Sequence, residues 1–186
     1  MLQKLSVIAL AVALSACGTR ASNGEQLTVN GQAVSLSLYH ALVGAEVQKV
    51  ERSGGPIGSK TPAGRQKKAN IESSVIRELI RDAVIEQLAD ARGTRLTAAE
   101  LQQRVAAAEK AFGGPVRFEA ALQQAGLSRV EFAAILRFRI LASQLSEVGT
   151  GGSAAIDGAV LKAHVVVTLG PCAGGAAYPA CLSAVS

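Results

Sequence analysis

Apolar positions recur at helical spacing through the middle of the chain. From Asn70 to Ala91, Ile71, Val75, Ile76, Leu79, Ile80, Ala83, Val84 and Leu88 fall on the i, i+4, i+5, i+8 rows of one buried helix face. The spacing predicts a helix of about 22 residues, roughly 33 Å long, capped by Asn70 and ended by Gly93. Thr97-Ala-Ala-Glu100 is then a capping box, in which threonine accepts from the third amide of the helix and glutamate reaches back to the threonine amide. Leu96 and Leu101 flank it as a hydrophobic staple. Leu101, Val105, Ala108 and Phe112 continue one stripe until Gly113-Gly114-Pro115 stops it. A short helix is expected from Pro115 to Ala125, carrying Phe118, Ala121 and Leu122 inward, with Gly126 as its C-terminal cap. Ser128-Arg-Val-Glu131 repeats the capping box, and Leu127 with Phe132 repeats the staple. The helix beyond it should run to about Val148. It is apolar on more than one face, through Phe132, Ile135, Leu136, Phe138, Leu141 and Leu145, which predicts a place at the centre of the bundle.

Period-2 signals lie toward the two ends. Asn30-Gly31 separates two short apolar pieces within Leu27 to Val34, the signature of a hairpin with a primed turn. A helix should start at Ser35 or Ser37, align Leu38, Leu42, Ala45 and Val50, and end before Ser53-Gly54-Gly55. Beyond a flexible break at Gly149-Thr-Gly-Gly-Ser153, Lys162 to Leu169 reads as one β-strand followed by a small-residue tail. A lone strand is unstable, so it is expected to lie against the hairpin. The fold class is therefore mainly α, about five helices with a small β pairing of the chain ends. Aromatic residues make up 3% of the chain and tryptophan is absent, which suits packed helices better than a β-sandwich.

The first residues carry an address. Lys4 precedes an apolar run from Leu5 to Leu14, and Leu14-Ser15-Ala16-Cys17 closes it with small residues before a cysteine. The run is shorter than the ~20 residues a membrane-spanning helix needs, so removal as a signal peptide is expected. The Leu-Ser-Ala-Cys ending resembles the bacterial lipobox, which implies cleavage after residue 16 and lipid on Cys17; the alternative is an ordinary signal peptide with a chance cysteine. Two or more acyl chains give stable membrane attachment. Residues 17–26 would then tether the lipid to a helical domain over residues 27–148, with residues 149–186 as linker, strand and tail.

The net charge of +5 changes the picture through its distribution. Arg52, Lys60, Arg65, Lys67 and Lys68 fall in a stretch with no acid, rich in Gly, Pro and Ser, and residues 52–69 read as a flexible loop. Removing these five from the nineteen Lys and Arg leaves as many as there are Asp and Glu, fourteen of each. So local a surplus argues against nucleic acid as the partner. Two readings of the loop stand: contact with anionic lipid or acidic protein segments, or plain solvation.

Catalytic and metal motifs are not found. His40 and His164 lie in different elements with no cluster of acids or cysteines, and a zinc site needs three or four ligands. Glu78, Asp82 and Glu86 are i, i+4 neighbours interleaved with Arg77 and Arg81, and read as surface ion pairs. No cofactor is expected. With Cys17 lipidated, Cys172 and Cys181 are an even pair in an exported chain, either disulfide-bonded or two free thiols in a disordered tail.

Ala91-Arg-Gly93, Leu96-Thr97-x-x-Glu100, Ala111-Phe112-Gly113-Gly114, Phe118-x-x-Ala121-Leu122 and Gly126-Leu127-Ser128-x-x-Glu131-Phe132 form an ordered series. Together with Val29-Asn30-Gly31-Gln32-Ala33-Val34 ahead of the first helix, the series resembles the N-terminal chaperone domain of SurA and PrsA-type extracytoplasmic foldases. The likeness runs from Leu27 to Leu145. The resemblance implies a cradle for unfolded, aromatic-containing segments of exported proteins, often followed by a parvulin-type prolyl isomerase domain. Lys162-Ala-His164-Val-Val-Val167 is similar to the first strand of such a domain, but the 17 residues after Leu169 are too few to build one. Isomerase activity is therefore not implied, and the chain is either a natural chaperone-only form or a truncated relative. Tyr39, Phe112, Phe118 and Phe138 are the candidate client contacts, each with core packing as its alternative. The function expected is a membrane-tethered extracytoplasmic chaperone. An isomerase-family member without its catalytic domain and a structural envelope lipoprotein are the other readings.

Overall fold

The asparagine-glycine pair turns the first hairpin. A computed structural model describes residues 24–54, 57, 60–147 and 152–183, and in it Asn30 and Gly31 have φ of 53° and 80°. Positive φ at both positions is what a type I′ turn demands. The turn joins β1 (Leu27–Val29) to β2 (Gln32–Ala33). The third strand, β3 (Val165–Val167), pairs antiparallel with β1 in the sheet order β2-β1-β3, with Leu27 opposite Val167 and Val29 opposite Val165. Asn30 clamps this junction, its side chain accepting from the His164 amide at 2.8 Å and donating to Gln87 at 2.7 Å. The chain ends are thus paired through the sheet, as expected.

Helices make up most of the rest: α1 (Leu36–Gly54), α2 (Pro62–Ala91), α3 (Ala98–Ala111), α4 (Pro115–Ala125), α5 (Arg129–Glu147), α6 (Gly152–Lys162) and α7 (Ala180–Ser183). A 3-10 helix at Gly170–Gly174 lies before α7. The capping box of α3 closes in both directions, Glu100 N to Thr97 Oγ1 at 3.2 Å and Thr97 N to Glu100 Oε2 at 2.8 Å. The Ser128 and Glu131 pair does the same for α5, and Gly126 ends α4 in the left-handed conformation at φ 71°.

Three expectations are corrected. The second helix does not begin at Asn70: Thr61 is its cap, accepting from Gly64 N at 3.0 Å, with Pro62 in the first turn, and the helix spans 30 residues. The stretch 52–69, expected to be a loop, therefore places Arg65, Lys67 and Lys68 on the first turns of α2 and Arg52 on the last turn of α1. Its helicity was hidden because exposed turns carry no apolar period. Threonine followed by proline was the local sign. The second correction concerns the tail: α6 occupies residues expected to be linker, the 3-10 helix and α7 follow β3, and the strand is only three residues long. The third is that α2, not α5, is central. It packs on α1, α5, α6, β1 and the 3-10 helix, and nine of its residues are buried against two in α5, Leu141 and Leu145.

The main core joins Leu27, Val29, Tyr39, Ile76, Leu79 and Ile80 to Val167, Leu169, Cys172 and Cys181, so the tail packs into the same body as the helices. A second cluster, around Ile85, Leu141, Leu145 and Ile156, joins α2, α5 and α6. A third, Val105, Phe118 and Leu122, joins α3 and α4. Cys172 and Cys181 are bonded to each other with Cα atoms 5.0 Å apart. The signal peptide, Cys17, most of the tether and residues 148–151 lie outside the described residues.

The position of the α2 cap is open to test. Thr61→Ala should cost about 1 kcal/mol, the usual value of an N-cap, while Asn70→Ala in mid-helix should stay within about 0.5 kcal/mol. Urea midpoints decide between them, and the reverse ranking would return the helix start to Asn70.

Candidate functional site

The first half of α5 is not completely covered by its neighbours. Phe132, Ala133, Ala134, Ile135, Leu136, Phe138 and Ile140 are all partly exposed, an unusual state for so apolar a run. Depressions flank it on both sides. One, of about 280 Å³, is bounded by β2 and Val34, by Ser35, Ser37 and Leu38 at the start of α1, by Leu79, Ala83 and Glu86 of α2, and by Val130, Glu131, Ala134 and Phe138 of α5. The other, of about 260 Å³, lies between α1 and α5, with Leu42, Ala45, Leu127 and Ile135 in its apolar lining.

The larger groove is built from elements far apart in the chain. The type I′ turn sets β2 beside α2, where Gln87 Nε2 donates to Val29 O at 2.9 Å and to Gln32 at 3.1 Å. Ser35 Oγ accepts from Leu38 N at 3.3 Å and starts α1 at the groove edge. The two acids at the rim are already engaged: Glu86 accepts from Arg137 Nε at 2.8 Å, and Glu131 from Ser128 N at 2.7 Å. What remains is an apolar trough with Val130, 78% exposed, on its lip. Each groove has room for a side chain or two and none for a folded partner. Burying one Val, Leu or Phe there is worth about 1.5–3 kcal/mol, so any single contact is weak and reversible.

The predicted aromatic contacts separate. Phe138 lines the groove. Phe112 is 50% exposed but lies at the end of α3, in ring contact with Phe118 rather than beside the groove. Tyr39 and Phe118 are core residues and not surface contacts, which corrects that expectation. Tyr39 points into the junction of α1, α2 and the tail, where burial and the nearby Glu72 and Glu25 push its phenol well above its usual range. Phe118 fills the third core. The groove itself was not predicted, because Ala83, Ala134 and Val34 carry no signal of their own.

The acidic row on α2 also differs from expectation. Arg81 pairs with Asp157 of α6 and Glu86 with Arg137 of α5, not with neighbours on their own helix. Asp82 makes no ion pair among the described residues and is half-buried. Burial, then the charge of Glu78, push its carboxyl up to about 7, against the opposing pull of Arg81 and of Arg139 on α5. His40 is exposed, 3.1 Å from Glu25. Among the described residues no three His, Cys, Asp or Glu are grouped to hold a metal, and no helix is long and apolar enough to cross a membrane.

The model of a family described as SurA-like N-terminal domain matches residues 2–146. It is a model of the helical domain and not of a parvulin catalytic domain. No curated protein and no solved structure matches the chain.

Proposed function

We propose, because the chain belongs to the SurA-like N-terminal domain family, that it binds unfolded apolar segments of exported proteins while tethered to a membrane by lipid on Cys17. The family is chaperone-related, works outside the cytoplasm and is associated with binding client proteins. The observation that supports client binding in this chain is the incompletely covered apolar run of α5 with a depression on each side. A closed bundle would bury such a run against another helix. Two shallow apolar troughs suit an extended segment that offers one side chain at a time, with contacts weak enough to release it for folding.

The purified mature chain should slow the aggregation of an unfolded client, followed by light scattering, at near-stoichiometric ratios. Ala134→Trp, which fills the larger groove, and Val130→Asp, which puts a charge on its exposed lip, should each weaken that protection several-fold while leaving the unfolding free energy from urea titration within about 1 kcal/mol of the parent. Undiminished protection by both variants would remove the groove from the reading. No protection by the parent chain would favour a scaffolding role. The same chain should not accelerate isomerisation of an X-Pro bond, whose barrier near 20 kcal/mol is lowered by a shaped catalytic pocket; measurable turnover would bring the isomerase reading back.

A further inference from the structure

We infer that the basic end of α2 is a second, electrostatic contact with an anionic membrane surface, acting beside the lipid anchor. The inference rests on the tether reading for its geometry. Arg52, Lys60, Arg65, Lys67 and Lys68 hold the whole positive excess of the chain and are all exposed. They cluster where α1 ends and α2 begins, and the positive end of the α2 dipole, capped by Thr61, adds to their field. Lys68 reaches Glu72 at 3.2 Å, and Glu72 lies outside the acid-free stretch.

A chain of contacts brings this end to the point where the polypeptide enters the fold. Gly24 O accepts from Thr168 Oγ1 at 2.7 Å, and Glu25 meets His40 at 3.1 Å. Tyr39, next to His40, and Glu72, the partner of Lys68, both crowd Gly170: a β-carbon there would lie 2.8 Å from the Tyr39 hydroxyl and 3.2 Å from Glu72. The chain therefore enters the fold near Glu72, about 10 Å along α2 from Arg65 at 1.5 Å per residue. Only six residues separate Cys17 from Gly24, a reach of at most about 25 Å when fully extended. A lipidated Cys17 would keep this entry point within about 25 Å of the headgroups, so the basic end of α2 can reach them.

The client groove lies elsewhere on the same helix. Ala83 is about 27 Å along α2 from Arg65 at 1.5 Å per residue, well over two Debye lengths at physiological salt. The larger groove is lined by the acids Glu86 and Glu131; the smaller is bordered by Lys49, Arg52 and Arg139 as well as by Glu46 and Glu78, so of the five cations Arg52 alone reaches a groove. A client held in either groove would meet at most Arg52 of the five, whereas a membrane at the tethered end would meet Lys60, Arg65, Lys67 and Lys68 directly. That contrast selects the membrane over an acidic peptide. It also sets an orientation, with the basic end down on the bilayer and the larger groove further from it along α2.

Vesicle cosedimentation tests this with the mature polypeptide from Cys17 onward, carrying Cys17→Ser so that no lipid is attached. At low salt it should bind vesicles with roughly 30% phosphatidylglycerol, ignore pure phosphatidylcholine, and come off in about 0.5 M salt. Each cation near an anionic surface strengthens partitioning about five-fold, so Lys60→Gln with Lys67→Gln should weaken it on the order of 20-fold, at an unchanged urea midpoint. Equal binding to neutral vesicles, or none to anionic ones, overturns the inference. So does full-strength binding of the double variant. Binding to soluble poly-glutamate but not to anionic vesicles would reassign the patch to acidic protein segments and likewise overturn it. The tether reading is read separately, from the mass of the Cys17 peptide in cells: an unlipidated Cys17 refutes that reading without altering the vesicle result.

Discussion

Phe118→Ala is expected to destabilise the protein by about 3–5 kcal/mol, the range for emptying an aromatic site in a core. Phe118 is fully buried, with Phe132 edge-on at 5.1 Å between ring centres, Phe112 at 5.7 Å, and the Arg129 guanidinium 5.3 Å from its centroid. The other buried members of its cluster are Val105 and Leu122, with Leu101, Leu127, Phe132 and Leu136 partly buried around them. The ion pairs above it do not compensate. Arg129 bridges Glu109 of α3 and Glu119 of α4 at the surface, and exposed pairs are worth about 0–1 kcal/mol each. Phe112→Ala, at a half-exposed ring, should cost about 1 kcal/mol. Urea unfolding of both variants checks the ranking. Equal costs would mean that α3, α4 and α5 are not assembled around Phe118.

Asp82→Asn is expected to stabilise the protein at alkaline pH and to leave it nearly unchanged in acid. In the folded chain the Asp82 carboxyl is pushed from 3.8 up to about 7, first by burial and then by Glu78. The folded state therefore binds the proton more tightly than the unfolded one. The stability this contributes is complete below pH about 4, is lost as pH rises through about 7, and is constant beyond. At 1.36 kcal/mol per tenfold change in proton affinity, the ceiling is about 4 kcal/mol, and solvent access to a half-buried group lowers this to the order of 2–3 kcal/mol. Asparagine stays neutral throughout, so the variant should gain that amount on the parent between about pH 4 and pH 8. Other titrating groups cancel in the difference. A gain independent of pH would place the Asp82 titration outside this window.

Much of the architecture was legible because its causes are local. The boundaries of α3, α4 and α5 follow from Thr97 with Glu100, Pro115 with Gly126, and Ser128 with Glu131, pairs near enough in sequence to act before any tertiary contact forms. Asn30-Gly31 encoded its turn in the same way. The start of α2 was misplaced because Gln66 to Asn70 bury almost nothing, so the helix rests there on a cap rather than an apolar stripe. The α6 segment was missed because Ile156, Val160 and the exposed Leu161 are the large apolar residues in a run of small ones and make no helical stripe.

The candidate site divides along the same line. By itself the sequence determined a mainly helical domain with its ends paired in a sheet, and a basic stretch without acids, because caps, turns, periodicity and charge are properties of neighbouring residues. Only the tertiary structure decided that Phe118 is core while Phe112 is half exposed, that Asp82 faces the field of Arg139, and that the apolar run of α5 stays partly exposed beside a groove. Burial and field depend on which distant elements come to lie against a side chain. Those neighbours are chosen by packing, which no stretch of the sequence records alone.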